Sequence, residues 1–268
     1  MDSVQGAASP LGAAKKQLRA HVGLWPLREM ANRVRLGSAV PGLRRFEDVE
    51  VNRLALRGPR RTALVATVIP THRRPELLLR AVESALAQSV TDHEVIVVDD
   101  GGGLPSLPAH PGLHTVSLAR NTAVLGLVRN VGIRLTESRF LAFLDDDNFW
   151  RPDHLEVALA ALGAGASVVY TAVQRQLPDG TVLDVLSTPF DRTRLRDGPA
   201  YVDANSLVVR RDRSVRFSRL PRTRATMPKE DWEFVHRMSR SRVTTHVPEP
   251  TVRYLVNPDS YYTSWTPP

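Results

Sequence analysis

Two apolar runs end directly in clusters of carboxylates, and this limits the fold more than any other feature of the 268-residue chain. Glu94–Val98 runs into Asp99, Asp100 and the glycines 101–103, and Phe140–Leu144 runs into Asp145, Asp146 and Asp147. From Thr62 onward, short β-branched runs alternate with helical periodicity, the pattern of βαβ units around a mostly parallel sheet. In such sheets ligands bind outside the carboxyl ends of the strands, so both acidic clusters are expected to face one crevice. The same reading predicts a strand over Leu64–Ile69 and a helix opening at Pro75 with Leu78, Ala81, Val82, Ala85 and Leu86 on one face. It adds a strand near His114–Leu118, a helix over 126–137, a strand over Leu207–Val209 and a helix from Glu230 to Ser239. The weakly polar stretch Val157–Val173 is interrupted by Gly163, Gly165 and Ser167, and reads as helix, turn and strand in place of a membrane span.

Composition removes several classes of chemistry. The chain has no cysteine, which excludes disulfides, thiolate nucleophiles and Cys-ligated metal sites. Its formal charge of +8 invites a nucleic-acid or anionic-membrane reading. That charge is concentrated, because residues 1–61 hold 12 Lys+Arg against 5 Asp+Glu and the remainder is nearly balanced. The main domain is therefore not expected to bind nucleic acid. Lys15, Lys16 and Lys229 are the only lysines, so the basicity is an arginine habit of the whole sequence as well.

Residues 1–61 read as a basic extension with at most short helices, since Pro10, Gly12, Pro26, Pro41, Gly42, Gly58 and Pro59 interrupt them. Leu18–Val34 places Leu18, Val22, Trp25 and Met30 among Arg19, Arg28 and Arg33, a partly amphipathic segment. Packing of this segment on the main domain or on a second subunit is expected ahead of weak contact with a membrane surface. No signal peptide is read at the N-terminus, and a cytoplasmic protein is expected, at most at the inner membrane surface.

Three consecutive aspartates after a buried strand repel one another, and either raise one another's pKa or take up a cation. Oxygen ligands from one short loop suit Mg²⁺ or Mn²⁺ completed by water and phosphate. A solvated loop with Asp147 capping a turn is the plain alternative.

Four further stretches set the context: Leu64–Pro75 with Pro70-Thr71-His72-Arg73-Arg74, Glu94–Gly101, Arg129–Ile133, and Phe143–Pro152 with its aspartates. Together with Lys229-Glu230-Asp231-Trp232-Glu233-Phe234, their order and spacing closely resemble the family 2 glycosyltransferases of GT-A fold, over about Ala63–Arg253. The resemblance implies an α/β, Rossmann-like GT-A domain over 62–268 with a mostly parallel mixed sheet. By position, it makes Pro70, Thr71 and Arg73 the loop that lines the nucleotide. Asp99 and Asp100 become the pair that reads base and ribose, and Arg129 the basic group beside base and diphosphate. Asp145 and Asp147 match the outer residues of a D-x-D motif that holds Mn²⁺ or Mg²⁺, with Asp146 between them on the donor side. Asp231, with Glu230 as the alternative, matches the general base, and Trp150 and Trp232 are candidate platforms for acceptor or sugar.

One departure stands downstream, where many members carry a His and this chain reads Arg253-Tyr254-Leu255-Val256-Asn257; Arg253 and Tyr254 are the candidates to replace it. His246 is expected to be structural, His72, His154 and His236 are ordinary polar residues, and Asn205 with Ser206 could face the donor sugar. The resemblance implies inverting, single-displacement transfer from a nucleotide diphosphate sugar, uridine favoured, to a hydroxyl of a glycan, lipid-linked or natural-product acceptor. A homodimer is possible through the extension. A nucleotidyltransferase would need a Gly-rich phosphate loop after the first strand, where Pro70-Thr71-His72 stands. A catalytically degenerate nucleotide-sugar binding protein is disfavoured by the presence of every acidic element.

Overall fold

The computed structural model describes residues 19, 21–55, 62–198 and 200–256. Pro10, Gly12, Lys15, Lys16, Leu18, Gly58, Pro59 and Asn257, named above, lie outside the described residues. The described helices are α1 (Leu24–Leu36), α2 (Val40–Ala55), α3 (Pro75–Leu86), α4 (Leu125–Leu135), α5 (His154–Gly163), α6 (Arg192–Asp197) and α7 (Glu230–Met238). The strands are β1 (Val65–Thr71), β2 (His93–Asp99), β3 (Leu113–Ser117), β4 (Phe140–Phe143), β5 (Phe149–Trp150), β6 (Val168–Gln176), β7 (Val182–Leu186), β8 (Leu207–Arg210) and β9 (Thr244–Leu255).

The strands form one sheet in the order β3-β2-β1-β4-β8-β6-β9-β5, with β7 paired to β6. Strands β1 to β4 pair in parallel, whereas β8 runs antiparallel to both β4 and β6. The chain leaves β1 for β2 and β3 on one side, then returns through α4 to β4 on the other. That reversal opens a crevice at the carboxyl ends of β1, β2 and β4, the topological switch point where ligands of such sheets bind.

Alternation along the strands feeds two cores. Ala66 and Val68 of β1 pack with α4 and α7 on one face, while Val65 and Ile69 pack with α3 and α5 on the other. Gly132 lets α4 approach β1, since a Cβ there would stand about 2.5 Å from Val68 Cγ1. At the end of β2, Gly101 has φ +69°, and a Cβ would strike the Arg120 backbone.

The segment before the sheet differs from expectation. Instead of short helices it forms α1 of 13 residues and α2 of 16. Pro26 and Pro41 fall in the first turn of each, where the missing N–H has no intrahelical partner to lose. Helix α2 enters the core through Val51 and Leu54, 4% and 5% exposed. Its Glu47, fully buried, accepts two hydrogen bonds of 2.6 Å from Arg219 and one of 3.0 Å from Arg134.

Candidate active site

A cavity of about 320 Å³ occupies the switch point. Its floor is Asp145, Asp146 and Asp147, and its walls include Pro70, Thr71, Asp100, Tyr254 and Glu230. The fold thus brings eight of the candidate residues onto one surface. Strand β4 is buried throughout and ends at Phe143, so the chain leaves the sheet with its next polar residues aimed into the crevice.

The three aspartates are partnered differently. Asp145 accepts Arg129 Nη2 at 2.5 Å and Asn205 Nδ2 at 3.1 Å, and its amide donates to Asn205 Oδ1 at 2.6 Å. Asp146, expected on the donor side, lines the cavity while accepting Thr71 Oγ1 at 2.7 Å and Arg74 Nη1 at 3.1 Å. Asp147 accepts Arg74 Nη1 at 2.8 Å and Asn148 Nδ2 at 2.9 Å. Burial, with Asp145 and Asp146 alongside, lifts the Asp147 carboxyl to about 7. Arg74 and Arg129 offset only part of the charge of the three carboxylates, and the remainder suits a divalent cation. Among the described residues no three His, Asp or Glu side chains form a ready cage. The donor set therefore fits an ion that takes Asp145 and Asp147 and completes its shell with water and a diphosphate, as Mg²⁺ does.

Packing places several of the expected residues off the cavity. Asp99 is fully buried, and its two carboxylate oxygens cap the amides of Gly102 and Gly103 at 2.9 Å each, so it builds the turn and does not line the cavity. Asp100 lines it, with both oxygens taken by Thr122 and Ala123. Arg73, at φ +55°, projects to solvent, and its neighbour Arg74 faces the aspartates in its place. Arg129 is not part of the cavity lining. It is 1% exposed, stacks over Phe217 at 4.9 Å and bridges Asp145 to Glu230, 3.0 Å away. Burial alone would lower its pKa, but Asp145 and Glu230 outweigh it and raise it.

Neither tryptophan lines the cavity. Trp150, 3% exposed, stacks on His154 and donates to Asn205 O at 2.8 Å. Trp232, 2% exposed, stacks on His236 and donates to Leu195 O at 2.6 Å. Both serve the core.

Helix α7 opens with Glu230 on the cavity wall and Asp231 beside it, half-buried and off the lining. Asp231 accepts the Trp232 amide at 2.6 Å. Burial, then Glu230 and Asp203, push its carboxyl to about 8. Asp203, lifted to about 6 by burial and Asp145, holds Asn205 through Nδ2 at 2.6 Å and N at 2.8 Å. Of the two candidates for the missing downstream His, Tyr254 lines the cavity, whereas Arg253 turns to Gln174 at 2.5 Å. Burial and the fields of Asp203, Asp147, Asp145 and Asp231 raise the Tyr254 phenol, which keeps it a donor at neutral pH. Arg74, Asn148, Asp203 and Arg222 belong to this site without a sequence signal of their own.

Comparison with known structures places the architecture. The chain is similar to TarS 1–349 of S. aureus in complex with UDP-GlcNAc, with a TM-score of 0.58 and 16% identity over 75% of this chain and 61% of that one. It is also similar to the mannosyltransferase PcManGT of Pyrobaculum calidifontis in complex with GDP-Man and Mn²⁺, with a TM-score of 0.53 and 16% identity over 86% and 70%. Sheet order, switch-point cavity and these likenesses define a GT-A fold. Sequence points the same way: residues 67–197 match the model of the family described as Glycosyl transferase family 2. Curated relatives agree, among them the succinoglycan biosynthesis proteins ExoO and ExoW of Rhizobium meliloti (strain 1021). ExoO is 33% identical over 53% of this chain and 43% of its own length, and ExoW 30% over 65% and 53%. The chain thus spans about half the length of the curated relatives it matches.

Proposed function

We propose that the protein transfers a sugar from a nucleotide diphosphate sugar, with uridine diphosphate as the favoured leaving group, to a hydroxyl of a glycan acceptor. The observation that carries this reading is the acid-floored cavity at the switch point, with Arg74, Asp100 and Glu230 around it. TarS binds UDP-GlcNAc and PcManGT binds GDP-Man with Mn²⁺, which supports a nucleotide-sugar donor here.

In this reading Pro70, Thr71 and Asp100 bound the nucleotide end of the cavity. Asp145 and Asp147 hold Mn²⁺ or Mg²⁺ with the diphosphate. When bound, the ion supplies Lewis-acid stabilisation of the charge that grows on the leaving phosphate. Asp231 accepts the proton of the acceptor hydroxyl. Glu230 is the weaker candidate because Arg129 already neutralises it at 3.0 Å. A carboxylate lifted to about 8 is a stronger base than a solvated one and matches proton abstraction near neutral pH. Attack from the base's side with departure of the diphosphate on the other is one displacement, and it inverts the anomeric centre.

Calorimetry tests the donor half: nucleoside diphosphates and nucleotide sugars are titrated with Mn²⁺, with Mg²⁺ and with chelator. Metal-dependent binding of one nucleotide, lost in Asp147→Ala, is the expected result. Binding of none under any condition defeats the reading.

A further inference from the structure

Helix α1 starts with Trp25 against the core, donating to Gly198 O at 2.6 Å, but from Glu29 to Val34 its polarity is reversed. The side chains it turns inward there are Glu29 and Asn32, 5% and 6% exposed. Glu29 accepts Arg222 Nη2 at 2.8 and 2.9 Å, and Asn32 donates to Met227 O at 2.9 Å. Arg33 reaches Glu233 at 3.1 Å. On the opposite side stand Met30 and Val34, one turn apart and 59% and 87% exposed. The amphipathic segment therefore does pack on the domain, through Trp25, Glu29 and Asn32, and leaves Met30 and Val34 in water.

Charge is sorted in the same sense across α1 and α2. Glu29, Glu47 and Glu50 are buried, and Asp48 is paired with Arg134 at 2.6 Å. The outward side chains include Arg28, Arg35, Arg44 and Arg45, with Val49 61% exposed among them on α2. The outer face of this pair thus combines apolar side chains with guanidinium groups, and every acid of the two helices is engaged elsewhere. A second copy meeting the same face would set arginine against arginine, whereas a layer of phosphate headgroups over acyl chains complements both components.

We infer that the outer face of α1, with the exposed arginines of α2, docks on an anionic lipid surface. Met30 and Val34 enter the boundary between headgroups and acyl chains, and the arginines pair with phosphates. The helix lies in the plane of the surface and does not cross it, in keeping with the absence of any helix among the described residues long and apolar enough to span. The inference goes beyond sugar transfer and stands or falls without it.

Flotation of the full chain with vesicles tests it, using equal parts phosphatidylglycerol and phosphatidylcholine in one arm and phosphatidylcholine alone in the other. Co-flotation with the anionic vesicles and not with the neutral ones, weakening as salt is raised, is the expected result. The double variant Met30→Ser/Val34→Ser should lose about tenfold or more in vesicle affinity. Arg44→Gln/Arg45→Gln should also weaken it. Because these side chains are exposed, both variants should keep the parental melting temperature, which separates lost docking from lost folding. Failure of the parent to float with anionic vesicles overturns the inference, as does equal binding to neutral ones. Undiminished binding by Met30→Ser/Val34→Ser overturns it too. So does light scattering that finds a dimer dissociated by those two substitutions, with no vesicle binding, since the face then joins two copies.

Discussion

Arg129 Nη2 lies 2.5 Å from Asp145 Oδ1, and the other terminal nitrogen of the same guanidinium reaches Glu230 at 3.0 Å. One buried cation therefore ties the carboxyl end of β4 to the first turn of α7, the two halves of the proposed reaction centre. Replacing it with Leu leaves two poorly hydrated carboxylates without a counter-charge, at a cost of about 3–5 kcal/mol. Thermal unfolding should show a large drop for Arg129→Leu and a smaller one for Arg129→Lys, which keeps the charge but not the fork. Equal midpoints for the two variants would contradict the bridging role.

Asp231→Asn should lower turnover by about 10²–10⁴-fold and leave donor affinity nearly unchanged. Hydrolysis or transfer assays, paired with calorimetry of the nucleotide, separate the two quantities. In the parent, the rate should climb with pH toward about 8 as Asp231 loses its proton. Asp231→Asn should abolish that limb. A flat parental profile would move the base elsewhere.

Stability should depend on pH in a defined window. Asp147 and Asp231 are raised to about 7 and 8, so the folded chain keeps protons that the unfolded chain has already released. Stability therefore falls as pH rises toward those values. His93 and His154 are depressed by burial to about 4 and about 3, so their contribution is lost as pH drops below the unfolded value of 6.5. The two trends oppose each other in mild acid, and above pH 6.5 only the carboxylate trend remains. Between pH 6.5 and 8 the chain without ligand should lose about 2 kcal/mol of stability. Melting curves of Asp147→Asn/Asp231→Asn should be flatter across that range. A parental midpoint that rises over the same interval would refute the assignment.

Trp150→Phe should cost about 1–2 kcal/mol through the lost hydrogen bond to Asn205 O, and Trp232→Phe a similar amount through Leu195 O. Both effects should appear in thermal unfolding. A raised acceptor KM with unchanged stability would instead restore the platform role that packing argues against.

Much of the fold was legible because period and punctuation carry it. The strand ending at Val98 and the strand ending at Leu144 were both visible as apolar runs closed by acids, and their parallel pairing with β1 placed both ends in one crevice. Asp145, Asp146 and Asp147 could be found the same way, whereas Glu230 came from the family resemblance of Lys229–Phe234. Arg74 could not. Nothing in Arg73-Arg74 distinguishes the two residues until the turn sets Arg73 at φ +55° and sends the other side chain toward the aspartates. Asp99 and Asp100 posed the same problem, and backbone geometry gave the first to the Gly102 and Gly103 amides and the second to Ala123.

The sequence by itself determined the layered sheet and the acidic ends of its strands, since hydrophobic period and residue order are local properties. Tertiary structure decided which of those residues carry charge into the cavity. It buried Arg129 between Asp145 and Glu230, put both tryptophans in the core and turned Glu29 of α1 inward to Arg222. The reason is physical: a side chain's partner, and so its proton affinity, depends on which distant segment folds against it, 193 positions away in the case of Glu29 and Arg222.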